Sequence, residues 1–238
     1  MRAVVCLPTY NELDNLERMV RRLGEVLPEG GRVLVIDDAS PDGTGELADR
    51  LAAELGYVDV LHRQRKEGLG PAYLAGFRRA LESEADLVLE MDCDFSHDPA
   101  DVPRLIAAAA DADLVLGSRY VPGGGTRNWG MARRFISRGG SFYARVVLGI
   151  GVRDLTGGFK CFRRAVLESL DLDSATANGY AFQIELTYQA LRKGFRVIEV
   201  PIVFADREVG TSKMSRAIVL EAIWKVPAFR LAALRGRL

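Results

Sequence analysis

Short apolar runs rich in Val, Ile and Leu alternate along the chain with longer segments in which apolar residues recur every three or four positions. The short runs are typical of strands buried on both faces of a sheet, and the longer segments are typical of helices that cover it. The alternation therefore predicts an α/β fold with a doubly wound, mostly parallel sheet and helices on both faces. The predicted strands are residues 3–7, 32–36, 58–62, 87–91, 114–118 and 196–204.

The helix-period segments place one helix between each pair of early strands. The first covers residues 13–27, and Asn11 is its candidate N-cap. The other predicted helices are residues 45–55, 71–82, 99–110, 140–148 and 182–193.

Charge is unevenly divided, although 32 basic and 32 acidic residues give a net charge of zero. Residues 1–125 hold 13 basic and 23 acidic residues, whereas residues 126–238 hold 19 basic and 9 acidic ones. This asymmetry favours an anionic partner for the C-terminal half, and mutual attraction of two faces of the protein is the alternative. The glycine-rich segment 123–126, at the crossover, is predicted to be a loop.

Ligands of open α/β sheets bind beyond the carboxyl ends of the strands, so polar residues that follow strands are candidate site residues. Four such segments are residues 8–12, 36–44, 90–98 and 117–120. In the first two, an aromatic ring and carboxylates at neighbouring strand ends suit a nucleoside. Capping of helix N-termini is the alternative for both.

Asp92 and Asp94 follow an apolar strand directly. In extended backbone, side chains two positions apart point the same way, so both carboxylates are predicted to converge on one cation. Carboxylate oxygens suit Mg²⁺ or Mn²⁺, and an incidental D-x-D is the alternative. For His97 we expect a solvated or capping role rather than metal ligation.

Arginine and lysine residues later in the chain are further candidate site residues. The guanidinium of Arg119, just after a strand, suits phosphate oxygens. The segment 133–140, with three arginines, is either a second anion site or a basic helix face. Segment 206–213 is predicted to be a mobile loop whose Arg207 and Lys213 close over a diphosphate. Neither a Walker loop nor a dinucleotide-binding fingerprint is present, so the sequence does not support an oxidoreductase.

Read in order, and together with Gly68-Leu69-Gly70, these motifs resemble the dolichol-phosphate (polyprenol-phosphate) mannosyltransferases of glycosyltransferase family two over residues 3–214. The resemblance implies a GT-A fold, which is a Rossmann-like α/β architecture. It also implies metal-dependent, inverting transfer of mannose from GDP-mannose to a polyprenyl (dolichyl) phosphate, with Mg²⁺ or Mn²⁺ as cofactor.

By position, the resemblance also implies roles for individual residues. It assigns the guanosine to Pro8, Tyr10, Glu12, Ile36 and Asp38. It assigns the metal and the diphosphate to Asp92 and Asp94, with Cys93 between them where alanine is usual. It assigns the phosphates of donor and acceptor to Arg119, Arg207 and Lys213, which with Asp94 form the catalytic set. It assigns the acceptor-phosphate region to Arg133, Ser137 and Arg138, together with Arg119.

The expected organisation is a catalytic domain over residues 1–214, divided into a donor part, 1–125, and an acceptor part, 126–214. Residues 215–238, basic and apolar, form either a membrane-surface helix or a helix packed on the domain. Because neither a signal peptide nor an apolar stretch of about 18 residues is seen, we expect a cytoplasmic protein, peripheral on the cytoplasmic face of a membrane.

Some functional alternatives stay open at this point. The chain could use another sugar nucleotide, such as UDP-glucose, in a related transfer. It could also be a non-catalytic sugar-nucleotide-binding subunit that needs a membrane-protein partner. No nucleic acid partner is expected.

Overall fold

A computed structural model describes residues 1–172, 179–206 and 216–235. The strands within these ranges are β1 Ala3–Thr9, β2 Arg32–Asp37, β3 Val58–His62, β4 Leu87–Glu90, β5 Leu114–Ser118, β6 Gly125–Arg127, β7 Lys160–Arg163, β8 Val197–Pro201 and β9 Val203–Ala205. The α-helices are α1 Leu13–Val26, α2 Thr44–Glu54, α3 Leu69–Leu81, α4 Val102–Ala108, α5 Met131–Leu148, α6 Arg164–Ser169, α7 Gly179–Arg192 and α8 Arg216–Leu234. A 3-10 helix, Pro99–Asp101, precedes α4.

The central sheet has seven strands in the order β3-β2-β1-β4-β7-β5-β8. Strands β1 to β4 are parallel, and β5 is parallel to β8. Strand β7 alone among these runs antiparallel to its neighbours β4 and β5. The predicted doubly wound, mostly parallel sheet is therefore confirmed. A small second sheet pairs β6 with β9 in parallel.

Two apolar cores lie on opposite faces of the central sheet, because successive side chains of a strand point to opposite faces. In β1, Val4 and Cys6 join the core formed with α3, α5, α7 and α8. Their neighbours Ala3, Val5 and Leu7 join the core formed with α1, α2 and α4. This double coverage explains why the strands read as continuous apolar runs.

The structure corrects the predicted elements in the second half of the chain. The predicted strand 196–204 consists of β8 and β9, which belong to different sheets. The predicted loop 123–126 contributes Gly125 and Thr126 to β6. Helix α5 begins at Met131, well before the predicted start at residue 140. Strand β7 was not predicted.

The N-terminus of α1 is capped from a distant loop. The prediction that Asn11 caps it is wrong, because the backbone N–H of Asn11 instead donates to Ser40 Oγ at 3.1 Å. The first helical N–H, that of Leu13, donates to Asp42 Oδ2 at 3.3 Å. Asp42 also accepts the N–H of Thr44 at 3.1 Å, so it connects the starts of α1 and α2.

The predicted C-terminal segment is helical from Arg216 to Leu234, with Pro227 inside the helix. Val226, Phe229 and Ala233 are buried in the core, whereas Trp224 is exposed. Packing on the domain thus accounts for one face of α8 and leaves another face exposed. Among the helices that the structure describes, none combines the length and the apolar character that a membrane crossing needs.

Glycine is required in α3 but not in α5, which gives a matched pair of substitutions. A Cβ at Gly76 would collide with Ile36 Cδ1, whereas a Cβ at Gly140 has no neighbour within 4 Å. We expect Gly76→Ala to lower the free energy of unfolding by about 1–3 kcal/mol through overpacking. Gly140→Ala should raise it by up to about 1 kcal/mol, because alanine is the better helix former. Urea denaturation checks both, and equal effects would contradict the close packing of α3.

Candidate active site

The loops that follow β1, β2 and β4 meet at one edge of the sheet, and each contains a strained residue. Asn11, Ala39 and Phe95 have φ values of 56°, 58° and 58°. Non-glycine residues in this left-handed region cost about 1–3 kcal/mol each and cluster at functional sites, where the surrounding structure holds them. The strand ends predicted to carry site residues are therefore followed by loops with left-handed backbone at non-glycine residues.

The first cluster at this edge surrounds Asp38, which is buried. Its carboxylate accepts hydrogen bonds from Arg63 Nη1 at 2.5 Å and from the backbone N–H of Gly68 at 2.9 Å and of Glu67 at 3.2 Å. The loop after β3 is thereby fixed to the end of β2. Lys66 in the same loop lies 3.6 Å from the ring centroid of Tyr10. Tyr10 and Asp38, both predicted nucleoside residues, thus border one loop.

The other predicted guanosine residues differ in accessibility. The carboxylate of Glu12 accepts from Asn15 Nδ2 at 2.9 Å. Pro8 and Ile36 are register partners in β1 and β2. The side chain of Ile36 is fully buried in the core against α3, so only its main chain can line a nucleotide site. The structure does not bring that side chain to the surface.

Asp92 and Asp94 lie beyond the end of β4, and Asp94 stands in a bend. The strand alternation assumed for the pair therefore ends at Glu90, and convergence of the two carboxylates on one cation stays a prediction. Asp92 is half-buried and accepts from the Tyr73 hydroxyl at 3.4 Å. Asp94 is only 2% exposed, and its Oδ1 accepts from both the backbone N–H and the hydroxyl of Ser96.

The two carboxylates are chemically suited to a hard divalent cation. In the described ranges, no group of three or more His, Cys, Asp or Glu side chains could hold a metal ion. A pair of carboxylates fits Mg²⁺ or Mn²⁺ when substrate phosphates and water complete the coordination, which is the usual magnesium arrangement. The side chain of Cys93 is buried in the core, so only its main chain is placed to contact a ligand.

His97 supports the backbone of Asp92. The expected solvated or capping role is wrong, because His97 is 1% exposed and packs between the rings of Phe159 and Phe204, each at a centroid distance of 5.0 Å. Burial lowers the pKa of His97 well below its ordinary value, so the ring is neutral at neutral pH. Its Nδ1 accepts the N–H of Asp92 at 3.3 Å, which leaves the proton on Nε2.

Arg119 is 4% exposed and forms a buried ion pair with Asp154, at 2.6 Å between Nη2 and Oδ1. The guanidinium also lies 5.4 Å from the ring of Phe204, the same ring that packs on His97. Arg119 therefore adjoins the loop of residues 91–98 that follows β4 and contains Asp92 and Asp94, the aspartate loop. A cavity of about 240 Å³ opens beside it. The lining residues are Arg119, Tyr120, Gly125, Thr126, Arg134 and Arg138.

One of the three predicted acceptor-phosphate residues of α5 lines this cavity, and a second contacts a residue that lines it. Arg138 lines it and lies 5.6 Å from the ring centroid of Tyr120. The Tyr120 hydroxyl donates to Ser137 Oγ at 2.7 Å. Arg133 instead pairs with Asp206 at 2.6 Å and lies 4.2 Å from the ring centroid of Trp129.

Two predicted site residues lie outside the described ranges, and the predicted division into a donor part and an acceptor part does not coincide with the cavity. Arg207 and Lys213 lie outside the described residues, so their phosphate contacts stay predictions. The residues that line the cavity come from both the predicted donor part, which ends at residue 125, and the predicted acceptor part, which follows it.

Several residues that organise the site were not predicted. Lys160 and Glu90 form a fully buried ion pair at 3.4 Å under the aspartate loop. Burial raises the pKa of Glu90 to about 7 despite its contact with Lys160. Asp154, the partner of Arg119, was also missed. The only local signal for Asp154 is that a polar residue stands shortly before two glycines, because the partner of Asp154 is distant in sequence.

This α/β fold, with polar side chains beyond the carboxyl ends of its strands, is that of a glycosyltransferase, and the family model for "Glycosyl transferase family 2" matches residues 4–171. The chain belongs to glycosyltransferase family 2, and the predicted GT-A fold is confirmed. Among its relatives is the undecaprenyl-phosphate mannosyltransferase of Micrococcus luteus, which is 50% identical over 242 residues that cover 100% of this chain and 99% of the relative. The polyprenol monophosphomannose synthase of Mycolicibacterium smegmatis is 48% identical over 239 residues, with 100% and 89% covered.

Solved structures share the fold at lower identity. Glucosyl-3-phosphoglycerate synthase from Mycobacterium tuberculosis, in complex with Mn²⁺, uridine diphosphate and glucosyl-3-phosphoglycerate, superposes with a TM-score of 0.65 at 22% identity. The match covers 100% of this chain and 79% of that one. The same enzyme in complex with Mg²⁺ and uridine diphosphate superposes with a TM-score of 0.63 at 20% identity. These matches show the fold alone.

The contacts of Asp38 predict which amides its removal exposes. Asp38→Ala should increase hydrogen exchange at the amides of Glu67 and Gly68, because the carboxylate that accepts both N–H groups is lost. The control is Asp59→Ala, since Asp59 binds the Arg32 side chain. Site-resolved exchange by NMR gives the readout. Unchanged protection in Asp38→Ala would show that the loop after β3 is held by other contacts.

Proposed function

We propose that the protein transfers mannose from GDP-mannose to a polyprenyl phosphate, with inversion at the sugar carbon and with Mg²⁺ or Mn²⁺ as cofactor. The observation that carries the proposal is the cavity beside Arg119, because three guanidinium groups around one cavity suit the phosphate of a lipid acceptor. The full-length similarity to relatives named for mannose transfer to undecaprenyl phosphate and for polyprenol monophosphomannose synthesis supports the same sugar and acceptor class.

The donor nucleoside is proposed to bind where Tyr10, Asp38 and the loop after β3 meet. The Tyr10 ring offers an aromatic surface, and Lys66 and Arg63 bring positive charge to the same place. The remaining contacts with the nucleoside are assigned to Pro8, Glu12 and the main chain of Ile36. The guanine base itself is an expectation from the family resemblance.

Asp92 and Asp94 are the residues proposed to hold the divalent ion. When bound, such an ion stabilises the negative charge that develops on the leaving diphosphate. The chain's own contribution is to keep the carboxylates in place. His97 holds the backbone of Asp92, and Ser96 holds the carboxylate of Asp94. Arg207 and Lys213 are proposed to bind the phosphates from the segment beyond β9.

The acceptor needs no general base in this proposal. A phosphate monoester with a second pKa of about 6 is mostly dianionic at neutral pH, so it is already a nucleophile. The protein must instead align two anionic substrates for a single in-line displacement, which inverts the sugar carbon. Arg134 and Arg138 offset the repulsion between the acceptor phosphate and the donor diphosphate, and Arg119 donates a hydrogen bond to the acceptor phosphate.

The membrane contact predicted for residues 215–238 is proposed to extend to α5. Met131, Phe135, Phe142 and Val146 are exposed and lie on one face of α5, since they are separated by four, seven and four positions. Phe135 is 81% and Phe142 is 66% exposed, and with their neighbours on this face they form an apolar surface of the kind that marks an interaction site. Trp224 of α8 is also exposed, and the Tyr143 hydroxyl of α5 donates to Ile223 of α8 at 2.8 Å.

Helix α5 contains four arginines and no acidic residue. An apolar stripe flanked by cations fits the surface of an anionic bilayer, such as the cytoplasmic leaflet of a membrane. Arg134 and Arg138 of this helix also line the cavity. One helix is thus placed to contact the bilayer and the phosphate of a lipid embedded in it.

The membrane proposal predicts that Phe135→Ser with Phe142→Ser lowers binding to phosphatidylglycerol vesicles about 100-fold, since each buried Phe contributes roughly 1.5 kcal/mol or more. Leu13→Ser, which removes an exposed apolar side chain of α1, is the control. Vesicle co-sedimentation measures both, and neutral phosphatidylcholine vesicles should bind the wild-type protein more weakly. Wild-type binding by the double variant would contradict the role of α5.

Radiolabelled GDP-mannose and a short polyprenyl phosphate test the reaction directly. The purified wild-type protein should form labelled lipid, and unlabelled UDP-glucose should compete poorly. In a parallel assay with radiolabelled UDP-glucose as the donor, labelled lipid formed from UDP-glucose and not from GDP-mannose would favour the related transferase. No labelled lipid with any metal, although the sugar nucleotide binds, would favour a non-catalytic binding subunit.

Metal dependence has its own test. Asp94→Asn should reduce mannose transfer by about 100-fold or more, because a divalent ion contributes several kcal/mol of transition-state stabilisation. Loss of Mn²⁺ binding, followed by electron paramagnetic resonance, should accompany the loss of activity. Asp98→Asn, which removes a charge in the same segment but outside the pair, is the control. Normal metal-dependent transfer by Asp94→Asn would overturn the metal assignment.

A further inference from the structure

Asp154 holds Arg119 more completely than an ordinary counter-ion does. Its two carboxylate oxygens accept three hydrogen bonds, from Nη2 at 2.6 Å, Nε at 2.7 Å and the backbone N–H at 2.9 Å. Both side chains are buried. Because the bonds involve the main chain and two nitrogens of the planar guanidinium, they fix the orientation of its plane.

A third acceptor holds one of the same guanidinium nitrogens. Arg119 Nη2 also donates to Thr156 Oγ1 at 2.9 Å. The Thr156 hydroxyl in turn lies 3.2 Å from the hydroxyl of Ser141 in α5. The orientation of Arg119 is therefore connected to the helix that carries the other cavity arginines.

Asp154 is itself anchored by strand β8. Glu199 accepts the backbone N–H of Asp154 at 2.9 Å and that of Arg153 at 2.8 Å. Glu199 also accepts the hydroxyl of Ser118, the residue before Arg119, at 2.7 Å. Glu199 thus holds the backbone of Asp154, and Asp154 in turn holds Arg119. Together they fix the loop before β7 to the end of β5 and to β8.

These contacts use one edge of the guanidinium and leave another for a ligand. Within the described part of the chain, Arg119 Nη1 makes no hydrogen bond, and Arg119 lines the cavity. Because Asp154 offsets the charge of Arg119, the excess positive charge of the cavity comes from Arg134 and Arg138. Arg119 contributes a donor of fixed direction instead.

We propose that Asp154 is a positioning residue for acceptor recognition: it holds Arg119 so that Nη1 faces the cavity and donates to the phosphate of the lipid acceptor. The role rests on the proposed function, because it takes the acceptor to be a phosphate monoester. It predicts an effect confined to the acceptor, whereas a counter-ion needed only for folding would affect donor and acceptor alike.

Asp154→Asn is the direct test, because it keeps the shape and one acceptor oxygen but places an amide NH₂ against the guanidinium. The probe is farnesyl phosphate, titrated by calorimetry, and GDP is titrated in parallel. The Kd for farnesyl phosphate and the KM for the acceptor should rise about tenfold, as for other residues that orient a binding group. The Kd for GDP should stay unchanged.

A matched control and a milder variant complete the experiment. Asp59 forms the same two-point contact with Arg32, at 2.5 and 2.7 Å, away from the cavity, so Asp59→Asn should leave both affinities unchanged. Thr156→Val removes only the third acceptor and should weaken farnesyl phosphate binding less than Asp154→Asn does. If Asp154→Asn does not fold, Thr156→Val is the variant that tests the proposal.

The possible failures are distinguishable. A folded Asp154→Asn protein that binds farnesyl phosphate with wild-type affinity, or that loses GDP and farnesyl phosphate affinity equally, would overturn the positioning role. If Thr156→Val has to carry the test, wild-type affinity for farnesyl phosphate would overturn it as well. Absence of farnesyl phosphate binding by the wild-type protein would overturn the proposed function itself.

Discussion

The buried ion pair between Arg119 and Asp154 is the interaction on which the acceptor side of the site depends. Removing one partner of such a pair costs about 3–5 kcal/mol, because the other charge is left uncompensated away from water. The pair joins the end of β5 to the loop before β7, and its neighbours extend the connection to α5 and β8. The cavity keeps its shape because these four elements share one hydrogen-bond network.

The donor side is built differently, from parallel strands whose carboxyl ends reach the same edge of the sheet. Asp38 fixes the loop after β3, so the nucleoside side is held by backbone hydrogen bonds to one carboxylate. Between the two sides lies the aspartate loop, supported below by the buried Lys160–Glu90 pair and laterally by His97. Antiparallel β7 makes this arrangement possible, since it brings Lys160 beside Glu90 in register.

The sequence predicted those features that depend on local pattern. Strands β1 to β5 were located to within two residues because each is a short segment rich in apolar residues between polar loops. Strand β7 was missed because four residues with Lys160 and Arg163 at its ends do not resemble a buried strand, and Lys160 is buried only through its partners. Helix α5 was predicted too short because the pair Gly139-Gly140 interrupts its pattern, although its exposed aromatic residues keep a helical period across that pair.

Pairings between distant residues could not be read from the chain. The motif containing Arg119 correctly marked a strand end, but nothing local showed that Asp154 would take one edge of its guanidinium. Arg133 was grouped with the acceptor phosphate by position, whereas its guanidinium pairs with Asp206 because β9 ends beside α5. Such pairings depend on tertiary packing, which brings together groups that the sequence keeps far apart.

The most direct test of this account is a crystal structure of the protein with GDP, Mn²⁺ and farnesyl phosphate. The account predicts that the lipid phosphate lies in the cavity within hydrogen-bond distance of Arg119 Nη1, with the metal and the diphosphate at Asp92 and Asp94. A lipid phosphate that contacts none of the three cavity arginines would contradict it.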